Sequence, residues 1–154
     1  MNLASIFRRS TAFFVDCILL ELIGEAITFP LTRKFDFKSD EIIEQILSGS
    51  ADLERILPYL LLYTSLLTIL WGFYFTCLIG ASGQTLGKKW LGIMVVRADG
   101  KPMDYKTAFN RFIGYSFSCI FFLGFIWALF DKNRQAWHDK MAHTIVVKQT
   151  ITPH

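Results

Sequence analysis

The sequence predicts an all-α integral membrane protein: two clear transmembrane helices, a third membrane element that is bent or re-entrant, and a small two-stranded cytoplasmic pairing. Three observations predict it. Of the 154 residues, 53% are hydrophobic and only 19% charged, which is too apolar for an ordinary small soluble domain. The apolar residues gather into three runs, and two of these, Pro58–Gly80 and Phe112–Phe130, carry no charge. About 20 such residues cross a hydrocarbon core of about 30 Å. Lastly, Gly92-Ile93-Met94-Val95-Val96-Arg97 and Thr144-Ile145-Val146-Val147-Lys148 are short β-branched stretches suited to strands. A soluble protein with three core helices is the alternative, but its helices would keep a polar stripe. The second and third runs hold nothing more polar than Ser, Thr and Tyr.

The first element, about residues 11–30, is broken by Asp16, Glu21 and Glu25. An ionised Asp near mid-bilayer costs a few kcal/mol, so it normally faces a partner charge, a cavity or a water path. Arg9 lies seven residues earlier, on the same helix face but roughly 10 Å away along the axis. Helical side chains lean toward the N-terminus, so Arg9 leans away and each charge must find partners elsewhere. Glu21 and Glu25 share a face roughly opposite Asp16 and read as a solvated helix end. A cleaved signal peptide is not expected, since this run holds three acids and lacks a small-x-small site. Cys17, Cys77 and Cys119 all lie in apolar runs, with neither disulfide nor metal spacing, and are expected to pack as small apolar residues.

Charge sets the expected topology. Arg8 and Arg9 precede the first span, and residues 81–111 carry six Lys and Arg against Asp99 and Asp104. Residues 31–57 carry more acids than bases. The positive-inside rule therefore puts the N-terminus and the 81–108 loop in the cytoplasm, and 31–57 outside, with the second span at 58–80. The outer segment is expected to form one amphipathic helix around Asp40–Leu57, capped by Ser39 or Asp40. Ile42, Ile43, Ile46, Leu47 and Leu53 would be its apolar side. If the third run, about 110–130, simply crossed, the tail 131–154 would fall outside with Lys132, Arg134, Lys140 and Lys148. Charge bias opposes that, and two strand-like segments pair most easily on one side. A bent or re-entrant pair, with Gly114 and Gly124 as break points, keeps the C-terminus cytoplasmic; a plain third span is the alternative.

Three blocks carry a family resemblance: Arg9 with Asp16; Gly83-Gln84-Thr85-Leu86-Gly87-Lys88-Lys89-Trp90-Leu91-Gly92-Ile93-Met94-Val95-Val96 with Asp99-Gly100; and Arg134 with His138-Asp139-Lys140-Met141-Ala142-His143-Thr144-Ile145-Val146-Val147. Over almost its whole length the chain resembles the RDD family of small, mostly bacterial membrane proteins, named for one arginine and two aspartates. On that resemblance the arginine maps to Arg9, the first aspartate to Asp16, and the second to Asp139, with Asp131 as the alternative. The resemblance implies a bacterial cytoplasmic-membrane protein of undefined biochemical role, with transport suggested, and names no substrate. The outer segment, Glu21 and Glu25 lie outside the pattern.

The Gly83–Lys89 block is not a phosphate loop. A Walker A needs four residues between its glycines and Ser or Thr after the lysine; here there are three, and Lys89 follows Lys88. Its glycines instead suit a sharp turn after the second span. Lys88 and Lys89 would then face anionic headgroups, each worth about 1 kcal/mol, while Gly83, Gln84 and Gly87 shape the loop. Arg111 and Arg9 are the candidate partners of Asp16. His138, Asp139 and His143 lack zinc-helix spacing, so His138 and Asp139 are expected to cap or tie the tail to the basic loop through Arg97 or Lys88. No nucleophile motif is present, so no enzyme, cofactor or metal is expected, and the net charge of +3 gives no support for nucleic acid. Two functions are therefore weighed, the first leading and the second its alternative. One is an oligomeric transporter or transport-associated subunit, proton- or cation-linked, with a charge network of Arg9, Asp16, Arg111 and Asp139. The other is an assembly or adaptor protein, partnered by itself or another membrane protein, whose charges only lock helix packing.

Overall fold

The computed structural model describes residues 2–35, 39–50, 52–118 and 123–149. In chain order these form α1 (Ile6–Phe35), α2 (Ser39–Leu47), α3 (Leu53–Ser82), α4 (Leu86–Trp90), β1 (Ile93–Arg97), α5 (Tyr105–Ser118), α6 (Leu123–Phe130), α7 (Trp137–Met141) and β2 (Thr144–Lys148). The protein is mostly helical, with a small antiparallel sheet of two strands.

Among the described residues, Ile56–Ser82 of α3 is the segment both long and apolar enough to cross a membrane. Only 11% of its most apolar window is buried, whereas the core helix of a soluble protein would be mostly buried. α1 is equally long, at 30 residues, but carries the three acids and does not meet that standard. Large apolar side chains nevertheless stand exposed on it and on α6, with Phe7 at 81%, Phe14 at 66% and Phe130 at 82% exposed. Exposed apolar surface on this scale marks a lipid or protein partner.

The chain divides into two compact units, Met1–Ile18 with Gly72–His154, and Leu19–Trp71. Within the second, α1 comes close to α3 at Gly24, where a Cβ would stand 2.7 Å from Leu67 Cδ2. The helix of the 31–57 segment is shorter than expected. α2 stops at Leu47 because Gly49 takes φ +70°, and Ser50 N donates to Gln45 O while Gly49 N donates to Ile46 O. This left-handed glycine cap closes the helix, and Leu53 belongs to α3. The caps expected at Ser39 or Asp40, and the side chains of Ile42 and Leu53, fall outside the described ones.

In the first unit the two predicted strands do pair, Val95 opposite Val146 and Arg97 opposite Thr144. Ile93, Val95, Val146 and Val147 are buried. Both edges are covered. Leu3 bridges Val147, with Ala4 N donating to Val146 O at 2.9 Å. On the other side Val95 N donates to Gly83 O at 2.8 Å, and Gln84 Nε2 to Ile93 O at 2.9 Å. Capping both edges removes the template that an open strand offers to other chains. α5 and α6 both pack on α7. Gly114 and Gly124, expected to break the third run, instead lie inside α5 and α6. Gly114 is needed for packing, since a Cβ there would stand 2.7 Å from His138 Cα. Residues 119–122 and Cys119 lie outside the described residues.

Candidate functional site

Asp16, fully buried on α1, is caged by three donors of no formal charge. Tyr74 of α3 donates its hydroxyl to Oδ1 at 2.7 Å, Gly87 N donates to Oδ1 at 2.8 Å, and Thr85 Oγ1 donates to Oδ2 at 2.5 Å. The Gly83–Lys89 loop makes this cage. Gly83 turns the chain at φ +71°, Thr85 caps α4, and Gly87 lets the helix start reach α1. A Cβ at Gly87 would stand 2.2 Å from Ala12 O, so glycine is required there. Lys88 Nζ supplies the cation, 4.0 Å from Asp16 Oδ2 and 3.4 Å from Thr85 Oγ1, with its side chain only 4% exposed.

Asp139, also fully buried, is held by direct charge. Arg9 bonds its Oδ2 and also donates to Arg134 O. Arg111 Nη2 lies 2.5 Å from Oδ1, a close ion pair whose angles are not those of a hydrogen bond. Ala136 N donates to Oδ2 at 2.9 Å, so the carboxylate also caps α7. Burial alone would raise the Asp139 carboxyl, but Arg111, His138 and Arg9 outweigh it and hold it well below the usual carboxylate range. Arg111 Nη1 donates to Thr144 Oγ1 at 2.7 Å, tying α5 to β2. His138 sits on the Tyr115 ring, 4.2 Å between centroids, with Nδ1 3.0 Å from Ser118 Oγ. Burial pushes its imidazole down to about 3 against the pull of Asp139, so it is neutral near pH 7.

Between the two cages lies a cavity of about 200 Å³. Its lining mixes the polar side chains of Arg9, Lys88, Arg111 and His138 with the apolar ones of Ile6, Phe13, Phe14 and Ala128. Phe13, Phe75 and Tyr115 stack beside it, with centroids 5.2–6.3 Å apart.

The structure thus brings Arg9, Asp16, Arg111, Asp139 and Lys88 into one region but corrects their pairing. Arg9 and Arg111, the expected partners of Asp16, both bind Asp139, and Asp16 takes Lys88 instead. Lys88, expected on the loop surface beside Lys89, is buried instead, whereas Lys89 is exposed. Two adjacent helical lysines point about 100° apart, so one of them can turn inward while the other stays outside. Asp139 caps its helix as expected, but Arg97 does not reach it. Arg97 pairs with Asp99 at 2.8 Å and Asp104 at 2.6 Å. Asp131 pairs with Lys140 at 2.5 Å and stands apart from the cages. Sequence reasoning missed Tyr74 and Thr85 as carboxylate donors; the one available signal was a tyrosine within a phenylalanine-rich apolar run.

A helical chain with an apolar membrane-type helix and one arginine and two aspartates buried at its charged end defines a class of small membrane proteins. Residues 3–143 match the RDD family, and the chain belongs to it. It is similar to the uncharacterised protein YxaI of Bacillus subtilis (strain 168), 28% identical over 147 residues that cover 94% of this chain and 96% of the relative. No solved structure matches it.

Proposed function

We propose that the chain is a non-enzymatic, multi-pass protein of the bacterial cytoplasmic membrane that serves as an assembly or adaptor subunit. Its buried charges lock its fold and do not conduct. The observation that carries this reading is the closure of both carboxylates within one chain: Asp16 and Asp139 are fully buried, and each is held by hydrogen-bond donors and cations of the same polypeptide. A coupling carboxylate needs open lone pairs for an arriving ion, and these have few. Both termini are assigned to the cytoplasm by loop charge. That α5 and α6 both pack on the five-residue α7 supports a folded-back third element over a single crossing. The adaptor acts as an oligomer or with another membrane protein, through the exposed apolar faces of α1, α3 and α6.

The second reading, a transport-associated role, is favoured by the cavity that lies beside these ion pairs. Proteoliposomes separate the two. The lock predicts no sodium- or proton-driven flux above empty vesicles for native protein, and impaired folding or assembly for Asp16→Asn. Native flux that disappears in Asp16→Asn while folding and oligomer size are kept would establish the transport reading instead.

A further inference from the structure

The buried charges around the cavity do not balance. Arg9, Lys88 and Arg111 face Asp16 and Asp139, and His138 is neutral, so one positive charge is left over among mostly buried groups. An uncompensated buried charge is costly, and a second ion is the common remedy. The surplus is visible in unfilled donors. The Lys88 ammonium, a group with three donors, has a single hydrogen bond at 3.4 Å, and its nearest carboxylate lies 4.0 Å away. The buried Arg111 Nε makes no hydrogen bond with the described residues. Both side chains line the cavity.

Ile6, Phe14 and Ala128 add an apolar part to the lining. Two of the lining residues, Ser10 and Phe14, are exposed on α1, Phe14 at 66%, so the cavity borders the surface there. At roughly 30 Å³ per water-sized volume, about 200 Å³ accepts a phosphate and a few methylenes but not two acyl chains. A free anion would gain nothing from the apolar lining, and a neutral lipid would leave the cation unpaired.

We propose that this cavity binds the phosphate head of one anionic phospholipid from the surrounding membrane. The phosphate accepts from Lys88, Arg111 and Arg9, and the acyl chains leave past Phe14. The proposal rests on the membrane reading above, and carbonate extraction tests that reading separately.

The test is native mass spectrometry of the full chain in detergent micelles with added phosphatidylglycerol, phosphatidylcholine or inorganic phosphate. Lys88→Met removes the surplus cation. Ser10→Trp obstructs the cavity mouth from an exposed position and leaves both cages intact. One phosphatidylglycerol per chain is expected, retained about tenfold better than phosphatidylcholine, not displaced by millimolar phosphate, and weakened about tenfold in both variants. An unchanged melting temperature in Ser10→Trp shows that its loss of lipid is not loss of fold. Equal retention of the two lipids, or unchanged phosphatidylglycerol binding in Ser10→Trp, overturns the proposal. Displacement by phosphate alone shows a free-anion site and overturns the lipid assignment. A chain that carbonate strips from membranes defeats the membrane reading itself.

Discussion

Asp16 and Asp139 are both completely buried, yet they are stabilised in different ways. Asp16 sits among neutral dipoles, a tyrosine hydroxyl, a threonine hydroxyl and a backbone amide, with its cation at 4.0 Å. Asp139 sits between two guanidinium groups in direct contact, with one backbone amide added. The first arrangement spreads a charge over dipoles that survive singly; the second balances opposite charges, so removing one leaves the others stranded. The difference assigns distinct work to the two aspartates. Asp16 moors the Gly83–Lys89 loop on α1, and Asp139 joins α1, α5 and the segment before α7 at one point.

The largest expected effect is therefore at Asp139. Asp139→Asn strips the buried Arg111 and the partly buried Arg9 of their shared carboxylate and is expected to cost about 3–5 kcal/mol, read as lost thermal stability in detergent. Asp16→Asn keeps an acceptor for Tyr74 and Gly87, so a smaller loss of about 1–3 kcal/mol is expected in the same assay. An equal or greater loss at Asp16 would reverse the comparison.

Acid sharpens it further. His138 has its imidazole pushed down to about 3 in the folded chain, against an ordinary 6.5. Between those values the unfolded state binds a proton that the folded state refuses. Stability is full above pH 6.5 and falls as pH drops toward 3, by up to about 1.4 kcal/mol per pH unit. Melting curves between pH 7 and 5 should show that slope, and His138→Gln should flatten it. The smallest effect belongs to Tyr74→Phe, which removes one of three donors to Asp16 and is expected to cost about 1 kcal/mol by thermal melting.

Much of this could be read from the residues. The β-branched runs gave both strands with their pairing, because short strands need a partner on the same side. The cost of charge in an apolar run singled out Asp16, and the glycines of the 83–92 block announced the turn that Gly83 makes. What stayed hidden was which charge meets which. The residues offer Arg9 or Arg111 for Asp16 and Arg97 or Lys88 for Asp139, whereas the structure pairs them otherwise, since pairing between distant segments is set by packing and not by local spacing. A basic loop beside a span normally faces outward, which predicts an exposed Lys88; its burial follows from Gly87, which brings that turn against Ala12. The early end of α2 turned on Gly49, whose left-handed conformation outweighed an apolar pattern that continued to Leu57.

The central claim, that the Arg111–Asp139 contact is a structural lock closed within one chain, is tested most directly by a double-mutant cycle. Thermal or denaturant unfolding would be measured for the native protein, Arg111→Met, Asp139→Asn and the double variant. A lock predicts strong coupling, with the double variant more stable than the summed losses by about 2 kcal/mol or more. Losses that add to within about 0.5 kcal/mol would contradict it.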